Sequence, residues 1–191
     1  MENQLFVVGL GNPGEKYQYT RHNIGHLFID YLYEQYKVKK TPGKGPFYFA
    51  SKKFCSTKIF LVKTSTFMNI SAEAVVSLLR QFNGDPSQLL IVCDDFNLPF
   101  GELRLRLKGS DGGQKGLRSV LERFNTQDIP RLRMGIGIDG DFDPIDFVLS
   151  EFTDEEKKQL VTIFESGKKC IETFVCHSPS KAMSLYNKYV L

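Results

Sequence analysis

Residues 5–10 read Leu-Phe-Val-Val-Gly-Leu, a short unbroken apolar run that suits a buried strand, and Gly11, Pro13 and Gly14 force a loop directly behind it. Ile24, Leu27, Phe28, Tyr31 and Leu32 then recur on one helical face, which predicts a helix to about Tyr36. Pro42 and Gly43 end that region. Residues 47–54 and 59–63, around Ser56-Thr57, read as paired strands. Ala72, Val75, Val76, Leu79 and Phe82 form a second helical stripe, closed by Asn83-Gly84 and Pro86, and residues 89–93 make another buried-type strand.

From 102 to 108 the chain alternates strictly: Leu103, Leu105 and Leu107 point one way, Arg104, Arg106 and Lys108 the other. A glycine-rich loop over 109–116 leads to a short helix through Leu117, Val120, Leu121 and Phe124. Leu132, Met134, Ile136 and Ile138 alternate again and leave Arg131 and Arg133 on the opposite face. Residues 155–175 are helical in pattern, and Pro179 suits the first turn of a last helix reaching about Tyr189, with His177 at its start. Strands and helices interleave throughout, so the predicted class is α/β with a mixed sheet.

A chain of 191 residues with 41% hydrophobic content can bury one substantial core, so a single domain over residues 1–191 is expected. The 25 Lys and Arg against 22 Asp and Glu leave a net charge of +3, so any polyanion site must arise from local clustering. Cys55, Cys93, Cys170 and Cys176 lack metal-ligand spacing, and Met1-Glu2-Asn3-Gln4 has no secretory character, which points to the cytoplasm and reduced thiols. No apolar stretch approaches the roughly 20 residues of a membrane span.

Gly9, Gly11 and Gly14 match the dinucleotide fingerprint G-x-G-x-x-G. That reading fails on three counts. Helical periodicity starts only near Asn23, Pro13 removes an N–H that should face phosphate, and the acidic residue required some twenty positions on is at best Glu34, on the first helix. A tight turn after a strand explains the glycines better.

The histidines are His22, His26 and His177. His22 and His26 stand one helical turn apart, but the sequence between them lacks the glutamate of a zinc-protease helix, so no metal is expected. His22 lies in Thr20-Arg21-His22-Asn23, where the first loop meets the first helix; it can face a cleft there, or equally cap the helix. A histidine base needs a partner that fixes its tautomer, and Asp94 and Asp95 stand at the carboxyl end of a buried strand, where α/β sheets border their ligand crevice. Turn chemistry ahead of Asn97-Leu98-Pro99 accounts for at least one of these aspartates just as well. No G-x-S-x-G elbow occurs, and Cys93 suits a packed thiol, which leaves water activated by His22 as the simple hydrolytic route.

Gly9-Leu10-Gly11-Asn12-Pro13-Gly14, Tyr17, Thr20-Arg21-His22-Asn23-Ile24-Gly25, Thr66-Phe67-Met68-Asn69, Asp94-Asp95, Gly112-Gly113 and Gly116 occur in the order of a known family. The set resembles bacterial-type peptidyl-tRNA hydrolases over residues 5–149, and the C-terminal helices fit in length. The resemblance implies a three-layer sandwich, its mostly parallel, twisted sheet flanked by helices. It implies hydrolysis of the ester between peptide and tRNA by a monomer without metal or other cofactor. His22, Asp94 and Asn12 would be the catalytic group: His22 the base, Asp94 its holder, and Asn12 the contact to the peptide. Tyr17, Phe67 and Asn69 would receive the terminal nucleotide and peptide backbone. Arg106 and Arg133 would clamp the tRNA 5′ phosphate, with Arg104 assisting, since guanidinium suits phosphate oxygens.

The chain departs from that family where Gly-Gly-His-Asn-Gly becomes Gly112-Gly113-Gln114-Lys115-Gly116. Lys115 offers only donors, so it is carried over as a tRNA contact without the two-sided amide interaction. Cys93 and Asn97 also stand in place of a commoner His and Asp, and are expected to loosen the surroundings of Asp94. Two other functions compete. A non-catalytic RNA-binding protein of the same fold would not need Asn12, His22, Asn69 and Asp94 together, and a nucleotide-dependent oxidoreductase would bind NAD or FAD.

Overall fold

The computed structural model describes residues 3–137 and 143–191; Met1, Glu2 and Ile138, the last expected on an alternating strand, lie outside them. The first half runs β1 (Asn3–Gly9), α1 (Ile24–Gln35), β2 (Thr41–Pro42), β3 (Phe47–Phe54), β4 (Thr57–Thr64), α2 (Ser71–Phe82) and β5 (Leu89–Asp95). The second runs β6 (Glu102–Arg106), α3 (Lys115–Phe124), β7 (Arg131–Gly135), α4 (Pro144–Leu149), α5 (Asp154–Cys176), α6 (Pro179–Tyr186) and β8 (Lys188–Tyr189).

One sheet is ordered β2-β3-β4-β1-β5-β7-β6-β8. Its centre, β4-β1-β5-β7, is parallel, and the flanking pairs β2-β3, β3-β4, β6-β7 and β6-β8 are antiparallel. The unbroken apolar runs of β1 and β5 follow from cover on both faces. On one side Val7, Leu61 and Leu105 meet Phe28 of α1 and Ile163 of α5. On the other Phe6, Val8 and Phe60 meet Val75 of α2 and Leu117 of α3. The result is the expected three-layer α/β sandwich with a mixed sheet.

The glycines behind β1 serve the approach of α1. A Cβ on Gly25 would stand 2.6 Å from the carbonyl oxygens of Leu10 and Val92, and one on Gly11 would meet the His26 ring. Only a bare backbone lets the helix come this near the two strands.

Several local expectations need correction. β6 ends at Arg106, and Leu107 is exposed as the chain turns toward Gly109, whose φ is +133°. α6 stops at Tyr186 because Asn187 turns its side chain onto Leu105, accepting from the backbone N at 2.6 Å and donating to the O at 3.1 Å, which lets β8 pair with β6. His177 ends α5 rather than opening α6, and Ser178 caps the latter by accepting from Lys181 N at 3.1 Å. α4, unanticipated, is started by Asp143, whose carboxylate accepts from Ile145 N at 2.8 Å, with Pro144 in the first turn. Finally, Cys55 and Cys176 form a disulfide across 121 positions, so the expectation of four reduced thiols fails for that pair; Cys93 and Cys170 are free and buried.

Candidate active site

His22 stands in a single 3-10 turn, Arg21–Asn23, just ahead of α1, and Asp94 is the penultimate residue of β5. β1 and β5 are parallel neighbours, so the loop after one and the carboxyl end of the other share one edge of the sheet. His22 Nδ1 and Asp94 Oδ2 are 2.8 Å apart, with side chains 10% and 2% exposed. A proton on Nδ1 is donated to the carboxylate and leaves Nε2 as the imidazole's acceptor.

The other oxygen of Asp94 is also bound. Gln114 Nε2 donates to Asp94 Oδ1 at 3.0 Å, while Gln114 Oε1 accepts from Leu117 N at 2.6 Å and so caps α3. Asn12 is clasped by Asn23: the Asn12 N–H donates to Asn23 Oδ1 at 2.7 Å, and Asn23 Nδ2 donates to Asn12 O at 2.9 Å. Asn12 Oδ1 accepts from Met68 N at 2.8 Å, which fixes the amide so that its Nδ2 is the donor left for the cleft.

Asn12, Tyr17, His22, Asn69, Asp94 and Lys115 line one cleft of about 340 Å³. Ile145, Val148 and Leu149 of α4 give it an apolar wall. That wall is held to the His22 turn by Arg21, which pairs through both Nη atoms with Glu156 at 2.7 and 2.8 Å and lies over the Phe147 ring at 4.7 Å. Burial disfavours the charged Glu156 carboxyl, yet hydrogen bonds from Arg21 and Thr153 outweigh it and hold the group below the usual carboxylate range.

The remaining expected residues, Phe67, Arg106 and Arg133, are not among those lining this cleft. Phe67 is exposed, its ring 6.5 Å from that of Tyr17 in an edge-on arrangement. Arg104 and Arg133 are cross-strand partners, as are Arg106 and Arg131, so the four guanidinium residues share one face of β6 and β7. They are not equally available. Arg133 donates to Asp95 Oδ2 at 2.8 Å and to Ser110 O at 2.7 Å, Arg104 pairs with Glu102 at 2.8 Å, Arg131 is buried, and Arg106 is exposed. Asn97 accompanies Asp95 through its backbone N at 2.9 Å and reaches Gly112 O at 3.4 Å, so it ties down the turn it was expected to loosen.

His26 does not converge on His22. Its Nε2 lies 3.1 Å from Thr64 Oγ1, and burial, with Lys63 nearby, pushes its pKa down to about 3, leaving it neutral. Burial also pushes the Cys93 thiol well up, which suits a packed side chain rather than a nucleophile. Among the described residues no group of three or more His, Cys, Asp or Glu is placed to hold a metal ion. Sequence reasoning gave no role to Asn23, Gln114 or the α4 wall. The signal for Gln114 was its place just ahead of a helix, and for α4 the dipeptide Asp143-Pro144.

A model of the peptidyl-tRNA hydrolase family matches residues 6–190. The peptidyl-tRNA hydrolase of Thermotoga petrophila is 42% identical over 184 residues, which is 96% of this chain and 97% of that protein. That of Aquifex aeolicus is 40% identical over 188 residues, 95% of each. The crystal structure of peptidyl-tRNA hydrolase from Acinetobacter baumannii superposes with a TM-score of 0.89 at 28% identity, covering 100% of this chain and 97% of that one. The 5′-methylthioadenosine nucleosidase of Arabidopsis thaliana, with a TM-score of 0.54 and 9% identity, shares the fold alone. Matched by the family model over residues 6–190, and 42% identical to a relative over nearly the full length of both, the chain belongs to the peptidyl-tRNA hydrolase family.

Proposed function

We propose that this protein hydrolyses the ester joining a peptide, or an N-blocked aminoacyl group, to tRNA, and so recycles tRNA from prematurely released peptidyl-tRNA. The observation that carries the reading is the buried His22–Asp94 pair, 2.8 Å apart, opening on a cleft shared with Asn12 and Asn69.

In this mechanism His22 Nε2 takes a proton from water as the oxygen attacks the ester carbonyl. Asp94 keeps the ring in the required tautomer and offsets the charge of the imidazolium that forms. The carbonyl oxygen gains negative charge, and amide N–H donors of Asn12 and Asn69 are suited to meet it. When the tetrahedral intermediate collapses, the bond to the ribose oxygen breaks and the imidazolium returns its proton to that leaving oxygen. The products are tRNA and the peptide's carboxylic acid, which loses its remaining water-derived proton to solvent, and His22 is again neutral.

Tyr17 and Phe67 offer ring faces and edges for the terminal base, and Lys115 and Arg106 offer exposed cations for phosphate. Arg133 joins the phosphate clamp only with its Asp95 partner beside it, so it contributes less net charge there than Arg106. Such contacts read phosphate and shape, and predict acceptance of many tRNAs. The proposed setting is the cytoplasm, as a monomer; no helix among the described residues is long and apolar enough to cross a membrane.

Steady-state release of the acyl group from an N-acetyl-aminoacyl-tRNA, with and without chelator, tests the reading. Turnover in both samples is expected. Tight tRNA binding without any turnover would instead favour the non-catalytic RNA-binding alternative.

A further inference from the structure

Gln114 is an unusual choice for the position it occupies. N-caps favour Ser, Thr, Asp and Asn, whose short side chains fold back onto the first turn. Gln114 caps α3 with Oε1, 2.6 Å from Leu117 N, but it does so with a longer side chain that is itself buried at 6% exposure. Capping alone does not call for that length. The extra reach is used by the other end of the amide, where Nε2 meets Asp94 Oδ1 at 3.0 Å and Met68 Sδ at 3.1 Å.

Resting on the catalytic reading above, we infer that Gln114 is a positioning residue for the His22–Asp94 pair, linking the N-terminus of α3 to the carboxylate that holds the base. One amide accepts from the helix and donates to Asp94. The N–H groups at the start of a helix carry partial positive charge, and a hydrogen bond accepted by Oε1 strengthens the donor on Nε2. Asp94 therefore has a donor on each oxygen, His22 on Oδ2 and Gln114 on Oδ1. This matters because the carboxylate is 2% exposed and, among the described residues, forms no ion pair with Lys or Arg. Its neighbour Asp95 takes the Arg133 guanidinium instead.

Removing the Gln114 donor leaves negative charge on Asp94 less satisfied. The imidazolium form of His22 then gains relative to the neutral base, so His22 is protonated at higher pH and lost as a base there. Among the described residues, the other titratable groups that line the cleft with the pair are Asp95, Tyr17 and Lys115, while Cys93 precedes Asp94 on β5 and His26 follows His22 by one helical turn. Cys93 and His26 are held neutral by burial, and the wall supplied by α4 is apolar. An uncharged substitution at residue 114 therefore acts on the pair without altering another charge.

The pH dependence of kcat and KM in three variants tests this. Gln114→Ser keeps a good cap but cannot reach Asp94. Gln114→Glu keeps the length and the cap but replaces the amide donor with a carboxyl that adds negative charge beside Asp94 once it ionises. Gln114→His restores a ring donor. In Gln114→Ser, kcat at neutral pH is expected to fall by about tenfold. The acid limb of its kcat/KM profile is expected to move up by roughly half to one pH unit. KM should change little, Gln114→Glu should shift the limb further, and Gln114→His should recover most of the rate. Parental kinetics in the Ser and Glu variants, or a lowered kcat with an unmoved acid limb, would overturn the inference. His22→Ala in the same assay separates the two levels: parental turnover there would remove the catalytic reading and this inference with it, whereas an inactive His22→Ala beside parental Gln114 variants would remove the inference alone.

Discussion

His26 and His22 are one helical turn apart, yet the fold gives them opposite environments. His22 keeps an edge on the cleft and a carboxylate on Nδ1, whereas His26 is sealed against Thr64 with its pKa lowered from 6.5 to about 3 by burial and by Lys63. The sign of its effect on stability follows from linkage. Below pH 6.5 the unfolded chain binds a proton at His26 that the native protein does not, so the native state loses ground as pH falls toward 3. The loss is up to about 1.4 kcal/mol for each pH unit. The urea midpoint is expected to fall between pH 6.5 and pH 5, and to fall less in His26→Gln; equal slopes would contradict this. At this scale the sequence was informative about His22 and Asp94, because histidines are few and a carboxylate at the end of a buried strand stands out. The roles of Gln114 and Asn23 were not legible because they are hydrogen bonds to partners 20 and 11 positions away, which no local pattern encodes.

Long, strongly patterned elements matched expectation closely: α5 buries one helical face along its length, and β3 and β4 pair as expected, with Ile59 to Val62 of β4 buried as an unbroken run. The misses are short elements decided by single contacts. α4 depends on the Asp143 cap, and β8 exists because Asn187 ends α6 against Leu105. The disulfide is the same kind of case. The β3–β4 turn brings Cys55, at φ +51°, against Cys176 at the end of α5, and nothing in the spacing of the cysteines signals that meeting. Closing a loop of 121 positions restricts the unfolded chain, a contribution of about 5 kcal/mol in the chain-entropy picture. The link ties the hairpin to α5, while the His22 turn and the end of β5 that form the cleft do not include it. Reduction, or Cys55→Ser, is accordingly expected to lower the denaturation midpoint while leaving kcat/KM unchanged well below the unfolding temperature. Coincident unfolding curves for oxidised and reduced protein would contradict this.

Over the whole molecule, the interleaving of strands and helices was sufficient to anticipate an α/β class with a mixed sheet, because strands buried on both faces carry unbroken apolar runs and the helices that cover them carry one apolar stripe; the three-layer arrangement was what the family resemblance implied. The order β4-β1-β5-β7 at the centre was not legible, since register between distant strands depends on contacts across the sheet. That order is what matters for function. It sets β1 beside β5, places the first loop next to Asp94, and lets the α3 N-terminus and α4 close the cleft from either side. The basic face of β6 and β7 lies next along the sheet, although ion pairs with Glu102 and Asp95 occupy two of its arginines. The central claim is that an imidazole at position 22 activates water inside this cleft. It is tested most directly by measuring turnover of an N-acetyl-aminoacyl-tRNA by His22→Ala alongside its affinity for uncharged tRNA. Loss of turnover by about a thousandfold or more, with affinity nearly intact, is the predicted result. Hydrolysis at the parental rate by that variant would contradict it.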